Sequence, residues 1–385
     1  MSRRILLLTT SRADYGFLCP LLDILQDEAQ IDAKLAVCGT HLCGEFGATI
    51  SEIEADARPV AARFDTVLPE GEPIAYSIAL ATRGFADAIG QVRPDLVFLP
   101  GDRYEILGAA SAALLAKVPV VHYGGGQCTE GAWDDAVRNA VSKLAHVHFT
   151  ATETYRNRLL QMGENPAHVF VSGSLGLDNI LSIEPWSRER LESDLGFDFG
   201  GQSALITFHP ATLDVDPPEH QLAQLFQALD DYPALKLLFT QPNVDEGGWS
   251  LTRLIRDFVD ARRGRAILVP SLGRVRYITA LKIVDAVVGN SSSGIIEAPS
   301  TGIATVNIGD RQLGRIRADS VLDCPPEKQA ISLALRRALD PAFRASLAGT
   351  KNPYGDGHAA QRIHQVLMAI PLENLLRKRF FDIDF

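Results

Sequence analysis

The stretch Ala286-Val287-Val288-Gly289-Asn290-Ser291-Ser292-Ser293-Gly294-Ile295-Ile296-Glu297 decides the reading of the fold. Its first four residues form a short apolar, β-branched run that ends on glycine, the pattern of a buried strand. A small polar turn follows, and a helix begins near Gly294. Consecutive N–H groups and hydroxyls at such a strand–loop–helix junction suit a pyrophosphate. Glu297, one turn further on, is placed to accept from ribose hydroxyls. A plain Ser-rich helix cap is the alternative reading. No Lys follows the loop, so it is not a Walker loop, and no strand-linked G-x-G-x-x-G is present.

The same alternation recurs on both sides of this stretch. Strands are expected at Ala204–Thr207, Leu235–Thr240, Ala266–Val269 and Ala304–Asn307, with helices near Pro218–Asp230, Trp249–Ala261, Val275–Ile283 and Gly294–Pro299. An earlier series has strands at Ile5–Thr10, Ala33–Cys38, Leu96–Pro100, Val118–His122 and His148–Thr150. Its helical patterns lie near Phe17–Glu28, Ile74–Gln91, Tyr104–Ala116, Asp134–Ala145 and Glu153–Met162. Short Val/Leu/Ile-rich strands separated by helices predict parallel sheets covered on both faces. The segment Ile183–Ser187 reads as a boundary, with Ser187 as a helix cap. The expected fold is therefore α/β: two doubly wound, Rossmann-like domains at 1–175 and 185–365, facing a cleft beyond the carboxyl ends of their strands. The charged-aromatic tail Glu373–Phe385 is expected to pack as a closing helix, with a disordered tail as the alternative.

Length and composition agree: 385 residues suit two domains. With 46% hydrophobic and 22% charged residues the chain is globular rather than disordered. A net charge of −10 argues against nucleic acid or an anionic membrane as partner. No apolar run reaches the roughly 18 residues of a membrane span, and the basic-apolar start breaks at Thr9–Asp14, too early for a signal peptide. A cytoplasmic location is expected. The 5 cysteines are scattered, without a C-x-x-C pair or zinc spacing, so neither disulfides nor a metal site is expected. They read as small core residues, and Cys128, beside Gln127, as a polar filler or else a substitute proton carrier.

Four more segments directly follow expected strands. In Thr10-Ser11-Arg12-Ala13-Asp14-Tyr15-Gly16, Arg12 at a helix start is an anion contact; a solvated cap with Asp14 on the backbone is the alternative. Pro100-Gly101-Asp102-Arg103-Tyr104-Glu105 places a carboxylate at a strand's carboxyl end, or else an N-cap Asp. Tyr123-Gly124-Gly125-Gly126-Gln127-Cys128-Thr129-Glu130 allows close ligand approach and leads to Asp134 and Asp135, which head a helix through Arg138, Asn139 and Lys143; a surface loop is the alternative. In Thr207-Phe208-His209-Pro210, His209 is a phosphate donor or acid, or a core histidine.

Together these segments, with Gly309-Asp310-Arg311-Gln312-Leu313-Gly314-Arg315 and Asn352-Pro353-Tyr354-Gly355, resemble the hydrolysing UDP-N-acetylglucosamine 2-epimerases of nonulosonic (sialic-type) acid biosynthesis. Thr129-Glu130-Gly131-Ala132 before Asp134-Asp135, and Ser271-Leu272-Gly273 before Arg276-Tyr277, look like the legionaminic-acid branch. That branch acts on UDP-2,4-diacetamido-2,4,6-trideoxyglucose. The resemblance implies a glycosyltransferase-B type of fold, a C-terminal helix (372–385) returning to the sugar-side first domain, and UDP on the second. It also implies no cofactor, and a homo-oligomer, dimer or tetramer, is expected. The implied reaction eliminates UDP across C1–C2 to a glycal. Water then adds at C1 while C2 is reprotonated on the opposite face.

By position, Asp102 and Asp134 match catalytic carboxylates. His209, Ser291, Ser292, Glu297 and Arg12 match nucleotide-binding positions, Asn243 and Arg311 more loosely. Arg103, Glu130, Asn139 and Ser271 lie in the matching segments and are carried as substrate contacts, His209 also as a catalytic candidate. Three positions depart from the pattern. Gln127 stands where the family has a catalytic Glu, and Gly124 and Asn139 stand where it has histidines. An amide cannot transfer a proton as a carboxylate does, though it holds a hydroxyl or water. Three readings follow: a hydrolysing 2-epimerase, a nucleotide-sugar hydrolase or eliminase with altered chemistry, and a non-catalytic nucleotide-sugar binder.

Overall fold

The computed structural model describes residues 2–69, 71–211, 213–242 and 248–383. The chain divides into two compact units. One comprises Met1–Gln127, Asp134–Asn179 and Tyr354–Phe385, the other Cys128–Trp133 and Ile180–Pro353.

The first unit holds β1 (Arg3–Thr9), β2 (Ile31–Val37), β3 (Val60–Arg63), β4 (Leu96–Pro100), β5 (Val120–Tyr123), β6 (Val147–Thr150) and β7 (Val169–Val171). They form one parallel sheet in the order β3-β2-β1-β4-β5-β6-β7. Strand β1 shows why the sheet is covered twice. Ile5 and Leu7 enter one core with the helices Arg12–Asp27 and Ala359–Ala369, whereas Leu6 and Leu8 enter another with Ala75–Val92 and Tyr104–Leu115. All four residues are fully buried, as period-2 alternation between two helical layers requires.

The second unit repeats the plan with β8 (Ser203–Thr207), β9 (Lys236–Thr240), β10 (Ala266–Val269), β11 (Ala286–Gly289), β12 (Ala304–Ile308) and β13 (Val321–Cys324). Their order is β10-β9-β8-β11-β12-β13, all parallel. In each sheet the connections reverse direction between the first and fourth strands: β1 and β4 in one, β8 and β11 in the other. That reversal is the topological switch point at which open α/β sheets bind ligands.

Local chemistry supports these elements. Pro20 lies inside the Arg12–Asp27 helix and cannot donate to the carbonyl four residues back; that carbonyl, Gly16 O, instead accepts from Asn179 Nδ2 at 2.7 Å. Ser187 caps its helix as expected, accepting from Arg190 N.

The tail differs from expectation. The returning helix is Ala359–Ala369, and 373–383 carries a turn at 373–376 but no helix. Ala359, Ala360, Ile363 and Leu367 form the apolar stripe that seats this helix in the first core, so chain assigned to the second domain up to residue 365 belongs to the first unit from Tyr354. Asp178 accepts from the N–H groups of Ala359 and Ala360 at 2.9 and 2.6 Å, satisfying the helix start. Pro371 then stops it. Phe380 is 66% exposed, so the paired phenylalanines do not supply a buried helical face.

Candidate functional site

In the first unit, the switch point sets the Thr10–Gly16 turn after β1 beside the Gly101–Glu105 turn after β4. Asp14 is buried and accepts from the N–H groups of Thr10, Ser11 and Tyr15, each at 2.8 Å, and from the Thr9 and Thr10 hydroxyls. Burial alone would raise its pKa, but His41 and these donors hold it below the usual range. Asp14 is thus the backbone-satisfying residue of the turn, and Arg12 is the first residue of the helix.

The densest arrangement of candidate residues gathers around Arg138, which heads the largest fully buried side chains. Its Nε donates to Asp102 Oδ2 at 3.1 Å and its Nη2 to the same oxygen. Its Nη1 donates to Asp135 Oδ1 at 2.7 Å and to the Gln127 carbonyl at 2.9 Å. One guanidinium therefore ties the turn after β4, the glycine loop after β5 and the helix Asp134–Leu144. Burial works against its charge, yet Asp102, Asp135 and Asp134 outweigh that and raise its pKa. Asn139 Nδ2 reaches Asp135 Oδ2 at 3.4 Å.

Two glycines of the loop answer to a neighbour. A Cβ on Gly126 (φ +75°) would stand 2.1 Å from the Tyr155 carbonyl, and one on Gly125 would stand 2.8 Å from Ser142 Oγ. Gly124 differs: it has φ +98° but only ordinary contacts, the Gln127 Nε2 among them at 3.7 Å. The Gln127 amide thus lies next to the space a side chain at 124 would enter. Beneath the loop, His122 Nε2 donates to Gly101 O at 2.8 Å, which leaves Nδ1 to accept from the Ser142 hydroxyl at 3.1 Å. Burial pushes its pKa down to about 3, so it is neutral. Arg103 is held by the fully buried Glu105, with Nε–Oε2 3.2 Å and Nη2–Oε1 3.3 Å, and its guanidinium sits 5.1 Å from the Tyr104 ring centre.

In the second unit, Asn290 is the hub. Its Oδ1 accepts from His209 N at 2.7 Å and its Nδ2 donates to His209 O at 2.8 Å; its own carbonyl accepts from Arg311 Nη1 (3.2 Å) and Gln312 Nε2 (2.9 Å). The loops after β8, β11 and β12 are thereby joined. Gly289 (φ +131°) permits this, since a Cβ there would lie 1.9 Å from the Thr207 carbonyl. Ser291 is the N-cap of the helix Ser292–Ile296, accepting from Ser293 N, and Tyr277 OH bonds Ser293 Oγ. Glu297 is half-buried with its Oε2 inside; desolvation raises its pKa against the opposing pull of Ser293 and Arg315, and that oxygen has no hydrogen-bond partner among the described residues. Ser271 Oγ accepts from Gly273 N at 3.2 Å, at the start of the Gly273–Ile283 helix. Asn243 lies outside the described residues.

Glu130 was expected with the first domain, but Cys128–Trp133 belongs to the second unit. Glu130 N donates to Leu313 O at 3.2 Å, and Leu213 N to Gly131 O at 3.3 Å. Two glycines allow it: a Cβ on Gly131 would lie 2.6 Å from Asp310 O, and one on Gly314 2.6 Å from the Cys128 Cβ.

The structure thus gathers Asp102, Gln127, Asp134 and Asn139 in one unit, and His209, Ser291, Ser292, Glu297 and Arg311 around the switch point of the other. Arg138 and Asn290 were not singled out from sequence. The spacing of Arg138 from Asp134 and Asp135, four and three residues on one helix, is the signal that points to it. Among the described residues no group of three or more His, Cys, Asp or Glu could hold a metal ion.

A family model described as UDP-N-acetylglucosamine 2-epimerase matches residues 23–368. The chain is 37% identical over 377 residues to a UDP-N,N'-diacetylbacillosamine 2-epimerase (hydrolyzing) of Legionella pneumophila, covering 97% of this chain and 98% of that one. It is 34% identical over 384 residues to a GDP/UDP-N,N'-diacetylbacillosamine 2-epimerase (hydrolyzing) of Campylobacter jejuni, covering 99% of each. Among solved structures it is similar to the UDP-GlcNAc 2-epimerase from Neisseria meningitidis bound to UDP-GlcNAc. There the TM-score is 0.80 at 19% identity, over 95% of this chain and 99% of that one, a likeness of fold of the glycosyltransferase-B type.

Proposed function

The chain belongs to the UDP-N-acetylglucosamine 2-epimerase family, and on that premise we propose that it is a hydrolysing UDP-sugar 2-epimerase whose substrate is a UDP-2,4-diacetamido-2,4,6-trideoxy sugar. The observation that carries the nucleotide half of this reading is Glu297. A half-buried carboxylate whose inward oxygen has no partner among the described residues, one turn past a Ser loop at a switch point, lacks hydroxyl donors. A ribose diol supplies them. His209, Ser291, Ser292, Arg311 and Arg12 are read as diphosphate and nucleotide contacts, with Asn243, Arg103, Glu130 and Ser271 as further substrate contacts.

The reaction removes H2 as a proton and breaks the C1–O bond, so that UDP leaves with the bonding pair and a glycal remains. Water adds its hydroxyl at C1, and C2 takes a proton on the opposite face. Asp102, bonded twice by the Arg138 guanidinium, stabilises the cationic C1. Asp134, in the first turn of its helix, handles the C2 proton. Gln127 holds a sugar hydroxyl or water. A second reading, elimination and hydrolysis without ordinary reprotonation at C2, is favoured by the neutral groups at 124, 127 and 139. No metal is required in either. A cytoplasmic location and a homo-oligomer belong to the same reading; no helix of the described residues is long and apolar enough to cross a membrane. NMR of the products in D₂O decides between the two: deuterium at C2 of an inverted free sugar supports the first, its absence at C2 the second. Intact substrate refutes both.

A further inference from the structure

The C-terminal tail reaches the end of the helix that carries the candidate carboxylates. Lys378 Nζ lies 3.1, 2.9 and 2.7 Å from the carbonyl oxygens of Ser142, Lys143 and Ala145, and 2.6 Å from Glu164 Oε2. The last carbonyls of a helix have no partner within it, and a lysine that caps them also complements the negative end of the helix. Glu164, with 2% of its side chain exposed, accepts in addition from Lys143 Nζ at 2.7 Å and is bonded to His148 Nε2 at 2.9 Å on β6. The tail continues past Lys378 with Phe381 N donating to Gly163 O at 2.9 Å, and the Phe380 ring lies 5.3 Å below Lys143 Nζ.

The helix Asp134–Leu144 is only 11 residues long, so it moves as a rod. Asp134, Asp135, Arg138 and Asn139 sit on its first two turns, and Lys378 grips its last. We propose that Lys378 is a positioning residue for this site: by joining the tail to the helix end and to Glu164, it sets how far the helix stands along its axis and so where Asp134 and the Arg138–Asp102 fork lie. The inference rests on the reading of those carboxylates as the reacting groups. Misplacing a catalytic group by about 1 Å costs up to about 10²-fold in rate, and a helix freed at one end shifts by less than that.

Lys378→Met should lower kcat on the UDP-sugar about 10-fold while leaving KM within about threefold and the UDP dissociation constant within about twofold, because the proposed nucleotide contacts other than Arg12 are on the other unit and Arg12 is on a different helix. Amide exchange in residues 137–143 should quicken. Lys378→Arg, which keeps several donors, should recover most of the activity. Phe380→Ala, which leaves the lysine bonds intact, should change kcat less than about twofold. Should Lys378→Met not fold, Lys378→Gln carries the same expectation with a partial donor. Unchanged kcat and exchange in Lys378→Met overturn the proposal, as does a loss seen only in KM or one matched by an equal loss of UDP-binding sites. Absence of turnover in the parent protein refutes the proposed function alone, since the exchange measurement still decides the role of Lys378.

Discussion

Replacing Arg138 with Met tests the construction of the first-unit site most directly. The side chain is fully buried, and its loss removes the fork on Asp102 together with the bonds to Asp135 and the Gln127 carbonyl. Breaking a buried ion pair from one side costs ~3–5 kcal/mol because a charge is left without compensation. The stranded carboxylates are 24% and 30% exposed, so water reaches them and the lower figure, ~3 kcal/mol, applies. At ~2–4 °C per kcal/mol for units of 150–250 residues, the first unit should melt ~6–12 °C lower. Turnover should fall ~10²-fold, since Asp102 loses its orientation, while UDP affinity stays unchanged. Arg138→Lys keeps the charge but not the two-pronged geometry. It should recover about half of the melting temperature and leave turnover ~10-fold down. Scanning calorimetry and initial rates measure both quantities. If Arg138→Lys matches the parent protein in both, the fork is not what holds the site.

Three other expectations are open to direct measurement. Gln127→Glu restores a proton-transferring group, and because general acid–base help is worth about 10²–10⁴-fold, it should raise turnover of UDP-GlcNAc or its diacetamido analogue; normal turnover by the parent protein would show that Asp102 and Asp134 suffice. Glu297→Ala and Ser292→Ala should each weaken UDP about 10-fold in calorimetry, in line with loss of a charge-assisted or capped contact, and EDTA should leave activity unchanged. His122 and His146 are buried and neutral, with pKa values down at about 3 and about 4; the unfolded chain binds protons at both near pH 6.5, so stability is full above that pH and is lost as pH falls toward 4. The slope approaches about 1.4 kcal/mol per pH unit for each histidine, and His122→Gln should flatten it by close to one proton. A thermal midpoint that does not move between pH 7 and 5 would refute this.

Apart from the edge strand β10, the strands legible in the sequence are interior to their sheets, where Ile5–Leu8, Leu96–Phe98 or Ala286–Val288 present an unbroken apolar run. Three went unread: β3, β7 and β13, each an edge strand of its sheet. Residues such as Val60, Ala61 and Ala62 are only half-buried there, and a short edge strand lacks a second helical layer to demand apolar side chains. The loops that follow β1, β4, β8 and β11 were legible for the opposite reason. Their glycines and acids stand at strand ends, where backbone conformation and helix starts restrict the residue type.

Burial period and turn chemistry are local, so the pair of α/β units and the chemical character of their strand-end loops are legible in the residues alone. Which of those side chains act together depends on how the chain packs. Arg138 joins Asp102, across 36 positions, to Asp135; Asn290 joins His209 to Arg311 and Gln312; Glu130 sides with the 310–314 loop through Gly131 and Gly314. Sequence also placed the closing helix too late, since the stripe of Ala359, Ile363 and Leu367 gains its meaning only against the core that the Arg12–Asp27 helix exposes to it. Partnership of buried charges depends on distances between segments far apart in the chain, and no local pattern encodes those distances.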